Sequence, residues 1–487
     1  MPTTEPLLIT APTDDAAARR YKTERQSHWD SVARRLESWT SWGIYYQARL
    51  TRVYRHLVPP GVRVLELGCG QGDLLASLEP SVGVGVDFSP AMIARAEGRH
   101  PHLRWVVADA HELRFAETFD VIILSDLVND LWDVQRVFEQ LGPLMTPQTR
   151  IILNTYSRLW EPVLTLAQKL GLSKPGLHQN WLTVADIRGL LDLEGMEVIR
   201  SWSEVLLPLP IPLLSTLANR YLVKLALFRQ LALTSVVVAQ PRSRPRTSEP
   251  VVSVIVPARN EAGNIARILA EVPEMGAGTE LIFVEGHSTD DTYLAIEREI
   301  ARHPERKCRL FRQTGKGKGD AVRLGFKEAA GQVLMILDAD LTVPPQDLPR
   351  FYEALRAGGG EFINGVRLVY PMEKQAMRFF NLLGNKFFSL AFSWLLGQPI
   401  KDTLCGTKVL WRADYERIAA NRAYFGDFDP FGDFDLLFGA AKLNLKIIEI
   451  PIRYRERTYG ETNIQRWRHG WVLLKMVVFA AGRIKFT

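Results

Sequence analysis

Short, mainly apolar runs punctuate the first half of the chain at Val62–Leu67, Val82–Val86, Leu103–Val107, Val121–Leu124 and Ile151–Leu153, and stretches with helical spacing separate them. Runs that are apolar on both faces belong to strands covered on both sides, and their alternation with helices predicts a doubly wound parallel sheet. The rhythm breaks at Gln240–Pro250, rich in Pro, Arg and Ser, and restarts at Val251–Val256, Leu281–Glu285 and Val333–Leu337. The pattern therefore predicts two α/β domains, residues 1–240 and 251–487, joined by a linker at 241–250. Short helices are expected over Asp73–Leu78 and Ala321–Ala330, and the first twenty residues read as loose.

Length agrees with this division, because 487 residues exceed what one hydrophobic core supports. The formal charge of +6 is spread along the chain, which favours anionic small molecules or a lipid surface and gives no support to nucleic acid as a partner. Three scattered cysteines, Cys69, Cys308 and Cys405, exclude a disulfide framework and a zinc site. The first residues lack the basic-then-apolar order of a secretion signal. Every apolar stretch is cut by Arg, Lys or Pro before about 20 residues, so no transmembrane helix is predicted.

Chemistry gathers at the ends of the predicted strands. Gly68, Gly70 and Gly72 follow Val64-Leu65-Glu66-Leu67 and precede a helix, so backbone can approach a ligand there. Asp87 ends the second strand, where a carboxylate can take both hydroxyls of a ribose, and Asp109 ends the third. A dehydrogenase loop would need a Gly-x-Gly-x-x-Gly register; the acid before Leu67 and the Gly-Cys-Gly-Gln-Gly spacing do not supply it. With these residues the first half resembles the class I S-adenosylmethionine-dependent methyltransferases. The resemblance implies a Rossmann-like sheet, with Glu66 and Gly68, Gly70 and Gly72 at the methionine moiety, Asp87 at the ribose, and Asp109 with Ala110 at the adenine. Candidates facing a methyl acceptor are Asp126, Asn129, Asp130, Trp132, Tyr156 and His178. A very apolar segment, Val205 to Leu233, reads as a lid over a hydrophobic acceptor, a patch on a membrane, or a packing surface.

The second half repeats the arrangement with other residue types. Pro257, Arg259 and Glu261 stand at the end of one strand and Glu285 at the end of the next. Gly315-Lys316-Gly317-Lys318-Gly319 places two ammonium groups among glycines, which suits a diphosphate. Asp338 and Asp340 cap the Val333–Leu337 run, and two carboxylates one residue apart can hold an octahedral cation while leaving positions for diphosphate oxygens. Together with Ser288–Thr292, Lys401–Lys408 and Glu449–Ile452 followed by Arg457 and Gly460, these motifs resemble the family-2 glycosyltransferases of the GT-A type, particularly the polyprenyl-phosphate hexosyltransferases. The resemblance implies that Pro257, Arg259, Glu261, Glu285, Lys318 and Asp338 meet a nucleotide-sugar donor, a GDP- or UDP-hexose, and that Asp338 and Asp340 bind magnesium or manganese. Two departures leave donor base and sugar open: Glu285-Gly286-His287 replaces the usual Asp-Asp-Gly, and Thr342 replaces a Gln of the mannosyl enzymes.

A phosphate acceptor, with a second pKa of about 6, is already largely dianionic at neutral pH and needs arginines more than a base. Arg367, Arg378 and Arg457 match family positions of that kind, with Asp402 beside them. A hydroxyl acceptor would need a carboxylate, and Asp433 or Asp435 could serve. The helices expected over Phe379–Leu396 and Trp467–Phe486 mix aromatics with cations, as helices in a headgroup layer do, although core packing is an equal reading. The sequence thus points to a bifunctional transferase at the cytoplasmic face of a membrane, using S-adenosylmethionine and a polyprenyl phosphate or other lipid-linked acceptor. The alternative is a methyltransferase and glycosyltransferase pair that tailors a hydroxyl-bearing glycolipid or secondary metabolite.

Overall fold

The structure, a computed structural model, describes residues 15–35, 43–169, 177–367, 379–422, 434–457, 459 and 466–486. The chain divides into two compact units, Met1–Pro241 and Arg242–Thr487. Each unit is built on a mixed seven-stranded sheet.

In unit 1 the strands are β1 (Arg63–Leu67), β2 (Val82–Asp87), β3 (Arg104–Val107), β4 (Phe119–Leu124), β5 (Met145–Tyr156), β6 (Met196–Glu204) and β7 (Thr234–Pro241), in the order β3-β2-β1-β4-β5-β7-β6. The first five are parallel, while β7 runs antiparallel to both β5 and β6. Successive residues of a strand point to opposite faces. Leu65, Ile122, Leu124, Ile151 and Leu153 therefore pack with Val137, Phe138 and Ile187 of the helices Val134–Leu141 and Val184–Leu193. Val64, Val121, Ile123 and Ile152 pack on the other side with Leu50, Val53 and Tyr54 of the helix Gly43–Leu57. Both faces are covered, which is why the runs are apolar throughout and do not alternate.

In unit 2 the strands are β8 (Val252–Ala258), β9 (Thr279–Glu285), β10 (Lys307–Arg312), β11 (Val333–Ile336), β12 (Phe362–Val366), β13 (Lys408–Trp411) and β14 (Ile447–Pro451), in the order β10-β9-β8-β11-β13-β12-β14. Strands β8 to β11 are parallel, and β13 lies antiparallel to β11 and β12. The two faces again separate by parity: Ile255, Ile282 and Ile336 belong to one core, Val254, Phe283 and Met335 to the other.

In both sheets strand order reverses beside the first strand, between β1 and β4 and between β8 and β11. A crevice opens at such a switch point outside the carboxyl ends of parallel strands, and ligands of α/β sheets bind there.

Three expectations change. Of the first twenty residues expected to be loose, 15–20 begin a helix, Asp15–Arg35, which is held by the side chains described below. The stretch after Pro241 is not a bare tether, because the Arg246 amide donates to the Arg356 carbonyl and its guanidinium lies 3.7 Å from the Trp411 ring centre. The helix expected at Ala321–Ala330 spans Lys318–Glu328, so Lys318 stands in its first turn. Among the described residues no helix is long and apolar enough to cross a membrane.

Candidate functional sites

At the β1–β4 crevice the chain turns out of β1 through Gly68, Gly70 and Gly72, with φ of 69°, 52° and 81°. A side chain at Gly72 would place its Cβ 2.2 Å from the Trp105 ring, and at Gly68 it would meet Leu127 at 2.8 Å. Around Gly70 the space is open. A left-handed path at all three positions, with no room for a Cβ at Gly68 and Gly72, explains why glycines are spaced this way.

Two carboxyls line this loop. Glu66 is buried and accepts from the Leu75 amide at 3.1 Å; burial pushes its carboxyl up to about 8. Asp87 accepts from the Gly70 amide at 2.9 Å through one oxygen and from the Ser89 amide at 2.9 Å through the other. Burial raises it to about 6, against those two hydrogen bonds. Asp109 behaves differently. Burial would raise it, but His111 Nδ1 at 2.6 Å and Lys22 Nζ at 2.8 Å hold it well below the usual carboxylate range. Ala110 follows it, packed on the core.

The helix Asp15–Arg35 lies across this edge, a feature with no signature in its polar sequence. Besides Lys22, Arg25 Nε pairs with Asp130 at 2.8 Å, Trp29 Nε1 donates to the other Asp130 oxygen at 2.8 Å, and Gln26 donates to the Phe88 carbonyl at 3.1 Å. Asp130 is thus a clamp for that helix. Asn129 is also committed: it donates to the Asn180 carbonyl and accepts from Thr155 Oγ and the Tyr156 amide, both at 3.2 Å. Trp132 is 44 % exposed and meets Tyr21 edge-on at 5.0 Å between ring centres. His178 contributes its carbonyl oxygen to the Arg25 guanidinium.

Of the acceptor-side candidates, Asp126 and Tyr156 come together. Asp126 has φ 54°, a strained conformation for a residue with a side chain. It accepts from Tyr46 OH at 2.7 Å and from Asn154 Nδ2, while Gln47 approaches its second oxygen at 3.3 Å. Tyr156 lies 6.0 Å from Tyr46 between ring centres. Burial raises the Asp126 carboxyl and, further, both phenols. Tyr46 and Asn154 were missed from sequence because neither belongs to a motif: Tyr46 lies on an amphipathic helix and Asn154 directly follows the apolar run Ile151–Leu153.

At the β8–β11 crevice Asp338 and Asp340 follow β11. Lys318 Nζ lies 2.6 Å from Asp338, and Arg457 bridges Asp340 and Glu261 at 3.0 Å each. Thr342 donates to Asp340 from its amide at 3.1 Å and its hydroxyl at 2.8 Å. Burial lifts Glu261 to about 7, even though Arg457 and the 2.8 Å bond from Asn264 oppose it. For Asp338 burial is outweighed by Lys318, Lys408 and Arg367, and its carboxyl is lowered. Gly406 closes this group: a Cβ there would lie 1.9 Å from Asp338 Oδ2 and 2.5 Å from Lys318 Nζ.

The other residues expected at this site are also located. Pro257 is half-buried opposite Val284, Arg259 is exposed, and buried Glu285 accepts from the Ser288 amide and lies 3.8 Å from Arg312. Arg367 grips Asp402 with two nitrogens, at 2.7 and 2.8 Å. Those two candidates therefore neutralise each other: Asp402 is lowered despite burial, and Arg367 is raised. Asp435 pairs with Arg422 at 2.8 Å. Asp433, Arg378 and Gly460 lie outside the described residues. Among the described residues no three His, Cys, Asp or Glu side chains gather in a metal-holding group.

Each unit thus has strand-end acids at a switch-point crevice, the place where α/β sheets bind ligands, and comparison with known proteins supplies the class, an enzyme of the transferase type. Residues 253–417 match the family described as glycosyl transferase family 2, and residues 64–148 match the methyltransferase domain family. The chain carries a methyltransferase domain followed by a family-2 glycosyltransferase domain. It is similar to the dolichol-phosphate mannosyltransferase of Pyrococcus furiosus, 28 % identical over 219 residues, which are 44 % of this chain and 59 % of that protein. The Saccharomyces cerevisiae dolichol-phosphate mannosyltransferase is 41 % identical over 109 residues, 21 % of this chain and 40 % of that one. The chain thus spans less than two thirds of either relative. Magnesium protoporphyrin IX methyltransferase of Synechocystis, solved with bound SAH, matches with 17 % identity and a TM-score of 0.32 over 45 % of this chain and 99 % of its own.

Proposed function

We propose that unit 2 transfers a hexose from a nucleoside diphosphate sugar to a polyprenyl phosphate, and that unit 1 transfers a methyl group from S-adenosylmethionine. The observation that carries the first half is the meeting of Asp338, Asp340, Lys318, Arg457 and Gly406 at one switch point. Polyprenyl phosphate is favoured because the relatives named above act, by their names, on dolichol phosphate.

Asp338 and Asp340 fit a divalent magnesium or manganese ion: both are partly exposed carboxylates at a strand end, and only a glycine at 406 leaves room for the Asp338 carboxylate where it lies. When bound, such an ion offsets the charge of the departing nucleoside diphosphate. Lys318, in the first turn of its helix, adds an ammonium group and the positive helix end for the same phosphates. An oxygen of the acceptor phosphate, already ionised, forms the new bond to the anomeric carbon as the bond to the diphosphate breaks, so no strong base is required. In unit 1 the glycine turn and Asp87 would hold the methionine and ribose parts of S-adenosylmethionine, and Asp109 the adenine.

The test is full-length protein with manganese or magnesium, labelled GDP- or UDP-hexose and polyprenyl phosphate. Label should enter the organic phase, and Asp338→Asn should abolish this while S-adenosylmethionine binding persists. Transfer that survives Asp338→Asn, or labelling of hydroxyl-bearing glycolipids but never of polyprenyl phosphate, would overturn the assignment.

A further inference from the structure

Strand β6 ends at Glu204 opposite Thr234, the first residue of β7, and Thr234 lies opposite Tyr156 at the end of β5. The segment 205–233 therefore leaves and re-enters the sheet at the carboxyl edge of the parallel strands, the edge that bears Gly68–Gly72, Asp87 and Asp126.

This segment keeps many of its apolar side chains outside, while Val205, Val223 and Leu233 anchor it in the core. Leu213 is 87 % exposed and Leu227 79 %, with Leu214, Leu217 and Leu231 each exposed by half or more. Trp160 Nε1 donates to the Leu231 carbonyl at 2.9 Å, which ties in the helix Glu161–Lys169 and its own exposed leucine and valine. The most exposed leucine is also strained, since Leu213 has φ 61° and ψ −48°. The scaffold holding it is well made. Asn219 Oδ1 accepts from the Leu206 and Leu207 amides at 2.7 and 2.8 Å, its Nδ2 donates to the Leu207 carbonyl at 2.7 Å, and Ser215 Oγ accepts from the Ile211 amide at 3.0 Å. Pro208, Pro210 and Pro212 stiffen the approach. A frame of that kind projecting leucines into water is a patch with a purpose.

Charge identifies the occupant. Residues 205–233 contain Arg220, Lys224 and Arg229 and no Asp or Glu. Lys224 is turned inward onto buried Glu204, which also pairs with Arg49, leaving Arg220 and exposed Arg229 at the perimeter. Leucines at the tip, cations around them and no acid match the headgroup layer of an anionic membrane, where apolar side chains enter the acyl boundary and cations meet phosphates.

We propose that segment 205–233 is a docking surface for an anionic lipid bilayer, and that it seats the cofactor edge of unit 1 against that bilayer. The methyl acceptor would then be lipid-borne, presented from the membrane to the Tyr46–Asp126–Tyr156 group. This goes beyond the proposed glycosyl transfer, and its test needs neither sugar donor nor acceptor, so either reading can fail alone.

The experiment places an environment-sensitive fluorophore at Leu227→Cys in full-length protein carrying Cys308→Ser; Cys69 and Cys405 are buried. On addition of phosphatidylglycerol–phosphatidylcholine vesicles the emission should brighten and shift blue, and nitroxide-bearing lipid should quench it. In unlabelled protein Leu213→Glu with Arg229→Glu should lower vesicle partitioning at least about tenfold, with S-adenosylmethionine binding unchanged. A label that stays water-exposed in the presence of vesicles overturns the proposal even if the protein sediments, because lipid contact is then made elsewhere. A blue shift without lipid that grows with protein concentration also overturns it, in favour of a second copy of the chain on this surface.

Discussion

Gly406→Ala tests the unit 2 site at one atom. The added Cβ would fall 1.9 Å from Asp338 Oδ2, where ordinary contact begins at 3.4 Å, so something must yield by about 1.5 Å. The backbone is poorly placed to do so: Cys405 and Thr407 are buried, Lys408 Nζ donates to the Cys405 carbonyl, and the Gly365 amide donates to the Thr407 carbonyl at 3.0 Å. Asp338 and Lys318, each about a quarter exposed, can move. The displacement therefore falls on the carboxylate and ammonium assigned to metal and diphosphate, and barely on the core. Misplacing a reacting group by about 1 Å costs on the order of 100-fold, or roughly 3 kcal/mol of transition-state stabilisation. Steady-state hexose transfer and calorimetry of nucleoside diphosphate binding with manganese read the effect, and differential scanning calorimetry monitors the fold. Unchanged transfer refutes the site, and a fall in Tm that parallels the loss of transfer refutes the local reasoning.

Arg457→Met removes the cation shared by Glu261 and Asp340. Since Arg457 holds Glu261 down, its loss should move the acidic limb of nucleotide binding upward from near 7, read as a pH series of dissociation constants; an unmoved limb removes Glu261 from the site. Trp29→Phe deletes the donor to Asp130 and should cost about 1.5–3 kcal/mol, the range for a hydrogen bond to a charged group. The variant should melt earlier and expose residues 15–35 to limited proteolysis, and equal protease resistance would show that the helix is held without this bond.

What the sequence disclosed follows from burial. The strands lining both switch points are covered on two faces, so Val64–Leu67, Ile122–Leu124, Val252–Val256 and Val333–Ile336 stand out as apolar runs, with the glycines and acids directly after them. Strands β6 and β10 are only partly buried, and Lys307-Cys308-Arg309-Leu310-Phe311-Arg312 alternates too weakly to separate from a loop. The helix Asp15–Arg35 was invisible for a different reason. It is fixed by Lys22, Arg25 and Trp29 meeting Asp109 and Asp130, contacts about a hundred residues apart that no local period encodes. The motif around Lys401 pointed to Asp402, yet geometry gives the telling role to Gly406; only the folded chain sets that Cα against Asp338.

The electrostatics of the two crevices differ in a way that matches their proposed donors. In unit 2 the acids are paired with cations, Asp338 with Lys318 and Asp340 with Arg457, a balance suited to an anionic diphosphate. In unit 1 Glu66 and Asp87 have only backbone amides among their hydrogen-bond partners in the described residues, and burial leaves them at about 8 and about 6. At neutrality Glu66 largely retains its proton and Asp87 only a small fraction of one, protons that the unfolded chain, ionising at 4.5 and 3.8, has released. Their contribution to stability is therefore full at low pH and is lost as pH rises through about 6 and about 8. A cationic sulfonium and ammonium arriving beside them favours ionisation, so S-adenosylmethionine binding should release a fraction of a proton at pH 7 and tighten as pH rises to 8. Calorimetry in buffers of different ionisation enthalpy measures that release. Glu66→Gln should reduce it and should also flatten the decline in Tm between pH 6 and 8. Binding with no proton exchange in the native protein would mean that these acids do not face the cofactor's charge.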